Sequence, residues 1–477
     1  MVDDRAVARM PRGPIERLGP DDLTYLATGP ASSNLGVVLE LAGPAPPLAA
    51  LVAALGPRVA TVPRLRQRIR RVPRGGGRPI WVDDPAFDLR QHVTVRRHPG
   101  ELDGAVLASI AATSVAKRLP LTRPLWTMTL VTGEDPTGPA GLVVVVHHVL
   151  TDGIGGLAVL AALADQAAGA AARPFPRPAP TLAELRVDAR RRWHPRPARL
   201  RAVAATLRAG WRELWPTRDG GPGRRTAGAA RPARALAPRC ALNAPTGPRR
   251  AAALARVELD GVRVLGRAGG ATVNDVLLAA ITGALASYLA ARGQHPDHLV
   301  ASVPVSRRER TSAGELGNAA GVMPVVLPVG AADPVVRLHR IAAETRGHRG
   351  SERGASLALL RPVFRALTTL GLWGWMVDRQ RLVNVFVSNV RGPASSLRLG
   401  GLTVTGLIPL GTPAGNVGVT FAVLSYAGTL TITVVVDPDV VPDPAPIAAA
   451  IEREVAVLAA RLLPAGRSSE DEAVSER

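Results

Sequence analysis

Cysteine and lysine are almost missing from this chain of 477 residues: Cys240 is the only thiol and Lys117 the only lysine. A lone thiol cannot close an intramolecular disulfide or build a cysteine-rich metal site. It fits a reducing compartment, so disulfide scaffolds and zinc fingers are excluded. A Walker A loop is excluded too, because the single lysine lacks the preceding glycines. Aromatic residues make up 3% of the chain and offer few platforms for base stacking, which argues against RNA or single-stranded DNA as a partner. No run of about 20 apolar residues suited to a bilayer span is found. The longest candidates, Leu277 to Ala291 and Gly155 to Ala172, read as buried helices. The opening MVDDRAVARMPRGPIERLGPDDL has no apolar stretch of the leader type, so neither a signal peptide nor an N-terminal anchor is expected. A GxSxG elbow and an HExxH helical pair are also missing, which removes the usual serine-hydrolase and zinc-peptidase signatures.

What is present describes a folded protein of two domains. A hydrophobic fraction of 47% against 20% charged residues supports sizeable cores even with 48 Gly and 43 Pro. The formal charge is +21, nearly all of it arginine. Arginine with abundant Ala, Gly and Pro is the default product of a GC-rich genome, so the total says less than the placement. Between Glu184 and Arg250, seventeen arginines less four acids account for 13 of the +21.

Helix and strand patterns alternate on both sides of that basic stretch, which implies α/β architecture with mixed sheets. Residues 1–175 form a first domain. Its strand-like segments are NLGVVLELAG, RPIWVDD, LRQHVTVRRHP and GLVVVVHH; its helical ones are Leu48 to Leu55, Leu65 to Arg71, Ala105 to Lys117 and Ile154 to Ala172. Residues 176–250 form a Pro- and Arg-rich connector. Within it, Leu200, Val203, Leu207, Trp211 and Leu214 mark one face of a basic amphipathic helix. Such a helix either packs on its own domain or docks on an anionic membrane surface. Residues 251–465 form a second α/β domain, with helices at Asn274 to Arg292, Ala332 to His348 and Ile447 to Leu463. A tail, 466–477, is too polar to fold.

The sharpest local signal is His147-His148-Val149-Leu150-Thr151-Asp152-Gly153, where four valines end and a helix begins. Neighbouring strand residues face opposite ways, so one imidazole of the pair points into any one cavity. A histidine there suits a general base near neutral pH. Asp152 can hold the turn or an arginine, and Gly153 allows close backbone approach. The competing reading is a pair of core histidines at a strand end. Metal binding would want a third ligand that the cluster lacks.

With its surroundings, this heptapeptide resembles the HHxxxDG acyltransferases, and among them the bacterial wax ester synthase/acyl-CoA:diacylglycerol acyltransferases. The blocks carrying the resemblance are Arg66 to Val93, RPLW at Arg123 to Trp126, HHVLTDG, TVNDVLLAAITGAL from Thr272, VPVSRR from Val303, Gly317-Asn318 and SNVRGP from Ser388. They span about residues 20 to 460. The resemblance implies a two-domain CoA-dependent acyltransferase fold, like chloramphenicol acetyltransferase and the condensation domains, with an active-site tunnel between the halves. It implies His148 as the base that takes the hydroxyl proton of diacylglycerol or a long-chain alcohol during attack on an acyl-CoA thioester. His147 and Gly153 accompany it, and Asp152 pairs with an arginine, here assigned as Arg307. Acyl-CoA is substrate, no cofactor or metal is implied, and the expected location is the cytoplasmic membrane face or lipid droplets, reached through the basic connector.

Other blocks admit two readings each. Thr272 to Asp275 has the form of a helix N-terminal cap, and the resemblance places Asn274 and Asp275 at the tunnel. Pro124, Leu125 and Trp126 read as substrate wall. Ser388 and Asn389 line the same cleft or simply precede the Gly392-Pro393 turn. Arg391 stands where many relatives carry proline, and the connector is richer in arginine than the resemblance implies. A related transferase with another acceptor or a carrier-bound acyl donor, and a non-catalytic Arg-rich binder, are the alternative functions.

Overall fold

The computed structural model describes residues 13–29, 33–135, 137–167, 173–193, 236–306, 320–349, 367–368 and 370–463. The first half runs α1 (Pro20–Ala27), β1 (Asn34–Leu41), α2 (Leu48–Thr61), β2 (Gln67–Arg70), β3 (Ile80–Asp83), β4 (Val93–Arg97), α3 (Gly104–Val115), β5 (Trp126–Thr132), β6 (Ala140–His147), α4 (Gly153–Leu163) and α5 (Leu182–Trp193). The second runs β7 (Ala251–Glu258), α6 (Leu259–Ala268), α7 (Val273–Ala290), β8 (Leu299–Ser306), β9 (Ala320–Leu327), α8 (Pro334–Arg349), α9 (Trp373–Val377), β10 (Val385–Arg391), β11 (Arg398–Leu399), β12 (Leu402–Leu410), β13 (Val419–Tyr426), β14 (Thr429–Val436) and α10 (Ala445–Leu462).

Two six-stranded mixed sheets carry the molecule. The first has the order β11-β12-β1-β6-β5-β4, the second β7-β14-β13-β10-β8-β9, and β2 and β3 form a small separate ribbon. The unbroken apolar run of β6 is that of a central strand covered on both faces: it lies between β1 and β5, antiparallel to both. In the second sheet β10 runs parallel to both β13 and β8. Each sheet supports its own core.

The division at residue 251 does not sort the strands by sheet. Strands β11 and β12 follow β10 of the second sheet yet join the first: β12 pairs onto β1, with Gly36 opposite Leu410 and Val38 opposite Ile408, and β11 pairs onto β12. Asp165 pins this crossover, accepting from the backbone N–H of Gly400 (3.0 Å) and Gly401 (2.7 Å). Leu65 to Arg71, expected as a helix, is instead a short 3-10 turn followed by β2. Gln67 and Ile69 alternate inward there, and the pairing with β3 overrides a helical pattern too short to sustain itself. The connector begins in ordered form: Leu185 of α5 is buried against Ile80 and Val82, and Asp188 pairs with Arg17 at 2.6 Å. The amphipathic stretch from Leu200 to Leu214 and the tail 466–477 lie outside the described residues. Among the described residues, only α7 has the length and apolarity of a membrane span; most of it is buried in the second core.

Candidate active site

Strand β6 ends at His147, and His148 opens the turn that leads into α4. The two imidazoles therefore meet different surroundings. His147 is buried, and its Nδ1 accepts the backbone N–H of Val149 at 3.1 Å. Burial, followed by the neighbouring His148, lowers its pKa to about 4, so near neutrality it is uncharged, with its proton on Nε2. Such a histidine builds the turn. His148 is half-buried. Its backbone N–H donates to the carbonyl of Ser33 at 2.7 Å, and its ring lies flat on that of Tyr25, with centroids 3.9 Å apart and planes 10° apart.

The rest of the motif shapes the turn. Asp152 is the N-cap of α4, its Oδ1 accepting from the N–H of Gly155 at 2.9 Å. Arg307, its expected partner, lies outside the described residues. Gly155 starts the helix tightly, since a β-carbon there would collide with Oγ1 of Thr151. At Gly153 the neighbour belongs to the other half: a β-carbon would stand 3.2 Å from Cγ2 of Val390 on β10. The HHVLTDG and SNVRGP blocks, more than 230 residues apart in sequence, are thus brought into contact.

Alternation along β10 sorts the second half's candidates. Ser388 shares the strand face of Val390 and hence the side of the His148 turn. Asn389 points the other way, with Val385 and Val387 of the second core, and donates its side-chain amide to Oδ1 of Asn274 at 3.2 Å. That bond joins β10 to the first turn of α7 and leaves the Asn274 NH2 as its donor end. Asp275 is not at an open wall. It is buried and completes the capping box of α7: Oδ2 accepts from the backbone N–H (2.8 Å) and hydroxyl (2.7 Å) of Thr272, and Oδ1 from the Thr345 hydroxyl (2.7 Å).

The RPLW block is corrected in the same way. Pro124, Leu125 and Trp126 are buried, the last two almost completely. The indole N–H of Trp126 donates to the Leu65 carbonyl at 2.7 Å, and its ring stacks on His92 at 4.5 Å. Trp126 is core rather than substrate wall, because a large ring with a satisfied N–H packs where β5 faces inward. The block still serves the site at one remove, since the Leu125 carbonyl accepts the backbone N–H of His147 at 3.0 Å. Sequence reasoning missed Tyr25, Ser33 and Val390. Tyr25 lies in PDDLTYLATGP, where only its spacing from the motif, not its type, concealed it. Among the described residues no cluster of His, Cys, Asp and Glu is suited to a metal ion.

Residues 25–277 match the family model of the wax ester synthase/diacylglycerol acyltransferase catalytic domain, and residues 316–459 that of the WS/DGAT C-terminal domain. A probable diacylglycerol O-acyltransferase of Mycobacterium tuberculosis is 31% identical over 439 residues, covering 90% of this chain and 92% of the relative. A second, putative diacylglycerol O-acyltransferase of that organism is 29% identical over 449 residues, covering 90% and 87%. Among solved structures, the wax ester synthase/diacylglycerol acyltransferase from Marinobacter aquaeolei superposes with a TM-score of 0.65 at 22% identity, covering 94% of this chain and 99% of the other. The starter condensation domain of rhizomide synthetase, solved with C8-CoA and Leu-SNAC, gives 0.57 at 17% identity with 93% of each chain covered.

Proposed function

Since the chain belongs to the wax ester synthase/diacylglycerol acyltransferase family, we propose that it moves a long-chain acyl group from acyl-CoA to the hydroxyl of diacylglycerol or a long-chain alcohol, with His148 as general base. The observation that carries the assignment of the base is the difference between the two histidines. His147 is buried and holds the turn through Val149, whereas His148 is half-buried beside the contact of the two halves.

In this reading the alcohol proton passes to His148 as the oxygen attacks the thioester carbonyl. The tetrahedral oxyanion collapses with loss of the CoA thiolate, whose conjugate thiol has a pKa of about 8.5, and the imidazolium returns the proton to it. No side-chain nucleophile is required, so both substrates are bound together and no acyl-enzyme forms. Asn274, held by Asn389, and Ser388 shape the passage from the second half.

Both acceptors partition into membrane, and the chain carries a surface suited to that setting. Leu370 (69% exposed), Leu372, Trp375 (60% exposed) and Leu382 lie open to solvent with Arg379 and Arg381 among them. Apolar side chains ringed by arginine suit an anionic lipid surface. We place the enzyme there, at the cytoplasmic membrane face or on lipid droplets, with the basic connector as a further contact.

The test follows CoA release from palmitoyl-CoA with dioleoylglycerol and, separately, with hexadecanol in mixed micelles, for the wild type and His148→Ala. Release with an ester product that disappears in the variant supports the proposal. Release that persists in folded His148→Ala overturns the assignment of the base, and no release with either acceptor overturns the choice of substrates.

A further inference from the structure

A backbone hydrogen bond fixes where His148 begins, but it does not fix the plane of its ring. Tyr25 bears on that plane directly: its ring covers one face of the imidazole at 3.9 Å and 10°. Tyr25 belongs to α1, and α1 is anchored at three points. Its first turn is capped by Asp22, which accepts from the N–H of Gly19 at 2.7 Å. At its other end the Ser33 hydroxyl lies within hydrogen-bond distance of the carbonyls of Tyr25 (3.0 Å), Thr28 (3.2 Å) and Gly29 (3.0 Å). From the second half, the indole N–H of Trp373 donates to Oγ1 of Thr28 at 3.2 Å. Ser33 is also the residue whose carbonyl receives the N–H of His148. The helix carrying Tyr25 and the backbone carrying His148 are therefore tied to the same buried serine.

We propose that Tyr25 is a positioning residue for the base, acting through its aromatic face rather than its hydroxyl; the inference rests on His148 being that base. With one face covered, the imidazole is held in a single plane and meets the acceptor hydroxyl edge-on, where its nitrogens are. The same face favours the imidazolium formed when the proton is taken, since a cation over a π system is attracted to it. Through the Trp373 bond to Thr28, the helix that carries Tyr25 is also tied to the second half.

The experiment measures kcat and KM for palmitoyl-CoA and dioleoylglycerol in Tyr25→Phe and Tyr25→Leu, each also in a His148→Ala background. Misorienting a catalytic group costs about 10- to 100-fold, so Tyr25→Leu should lose that much in kcat with both KM values nearly unchanged. Tyr25→Phe should stay close to wild type. In the His148→Ala background Tyr25→Leu should add no further loss, which a merely structural defect would not reproduce. Wild-type turnover in Tyr25→Leu, an equal loss in Tyr25→Phe, a loss confined to KM, or additive losses with His148→Ala would each overturn the proposal. If Tyr25→Leu fails to fold by thermal unfolding, Tyr25→Met replaces it and is read in the same way. Full turnover in His148→Ala alone would overturn the base assignment and this proposal with it, an outcome separable from failure of Tyr25, which is read with His148 intact.

Discussion

A side chain at Gly153 would place its first carbon 3.2 Å from Cγ2 of Val390, so the turn bearing the paired histidines and the strand bearing Ser388 and Asn389 leave little room for bulk between them. We expect Gly153→Val to push the two halves apart and lower kcat by roughly 10- to 100-fold. Shortening the neighbour should undo part of this, with Val390→Ala restoring activity to Gly153→Val. A coupling energy of about 0.5 to 3 kcal/mol in the double-mutant cycle is expected for residues in contact. Strictly additive losses would mean that Gly153 is needed for its backbone alone.

The paired histidines should separate into a chemical and an architectural member. His148→Ala is expected to lose about 10²- to 10⁴-fold in CoA release while its thermal unfolding stays near wild type. His147→Ala leaves the buried N–H of Val149 without its acceptor, a loss of about 1 to 3 kcal/mol. It should therefore act first on the unfolding midpoint. Equal residual activity in the two variants would contradict this division of labour.

His147 also makes stability depend on pH. Burial lowers its pKa from 6.5 to about 4, so between those values the unfolded chain binds a proton that the folded chain refuses. Its contribution is complete above pH 6.5 and is lost as pH falls toward 4, by about 3 kcal/mol in all. Urea unfolding at several pH values in that window, compared with His147→Asn, measures it. The variant keeps an acceptor for Val149 but has nothing to titrate, so its stability should fall less steeply with acid; identical slopes would assign the dependence to other groups.

Asp275 should prove to be a stability residue. Its carboxylate caps α7 and receives the Thr345 hydroxyl, both within the buried second core. Asp275→Ala is expected to cost about 1 to 3 kcal/mol from the lost cap and the lost Thr345 contact, the buried hydroxyl keeping only the Ala342 carbonyl at 3.3 Å. Asn274→Ala, by contrast, should change KM before the unfolding midpoint. The reverse pattern would return Asp275 to the substrate passage.

The exposed segment around α9 should report on lipid binding. Replacing Leu372 and Trp375 by serine removes apolar surface without touching His148, and sedimentation with anionic phosphatidylglycerol vesicles should fall several-fold. Activity on detergent-dispersed substrate should fall less. Unchanged vesicle binding would remove this surface from the membrane contact.

The sequence by itself determined what depends on near neighbours. The apolar run ending in His147-His148, the Asp152 cap four residues on and the Thr272 to Asp275 capping box are each complete within one or two turns, so residue type and spacing sufficed. Strands such as β13 and β14 were legible for the same reason, being buried runs bounded by turns. The tertiary structure decided what depends on pairing at a distance. Only the sheet shows β12 crossing from the second half onto β1, because either sheet edge offers the same hydrogen bonds and nothing in LTVTGLIPL names its partner. Only packing shows Trp126 buried in the core and the Asp275 cap buried against Thr345, since burial is a property of what surrounds a side chain. The stack of Tyr25 on His148 is the clearest case: 123 positions separate two rings whose chemistry is joined by a helix docked on a buried serine.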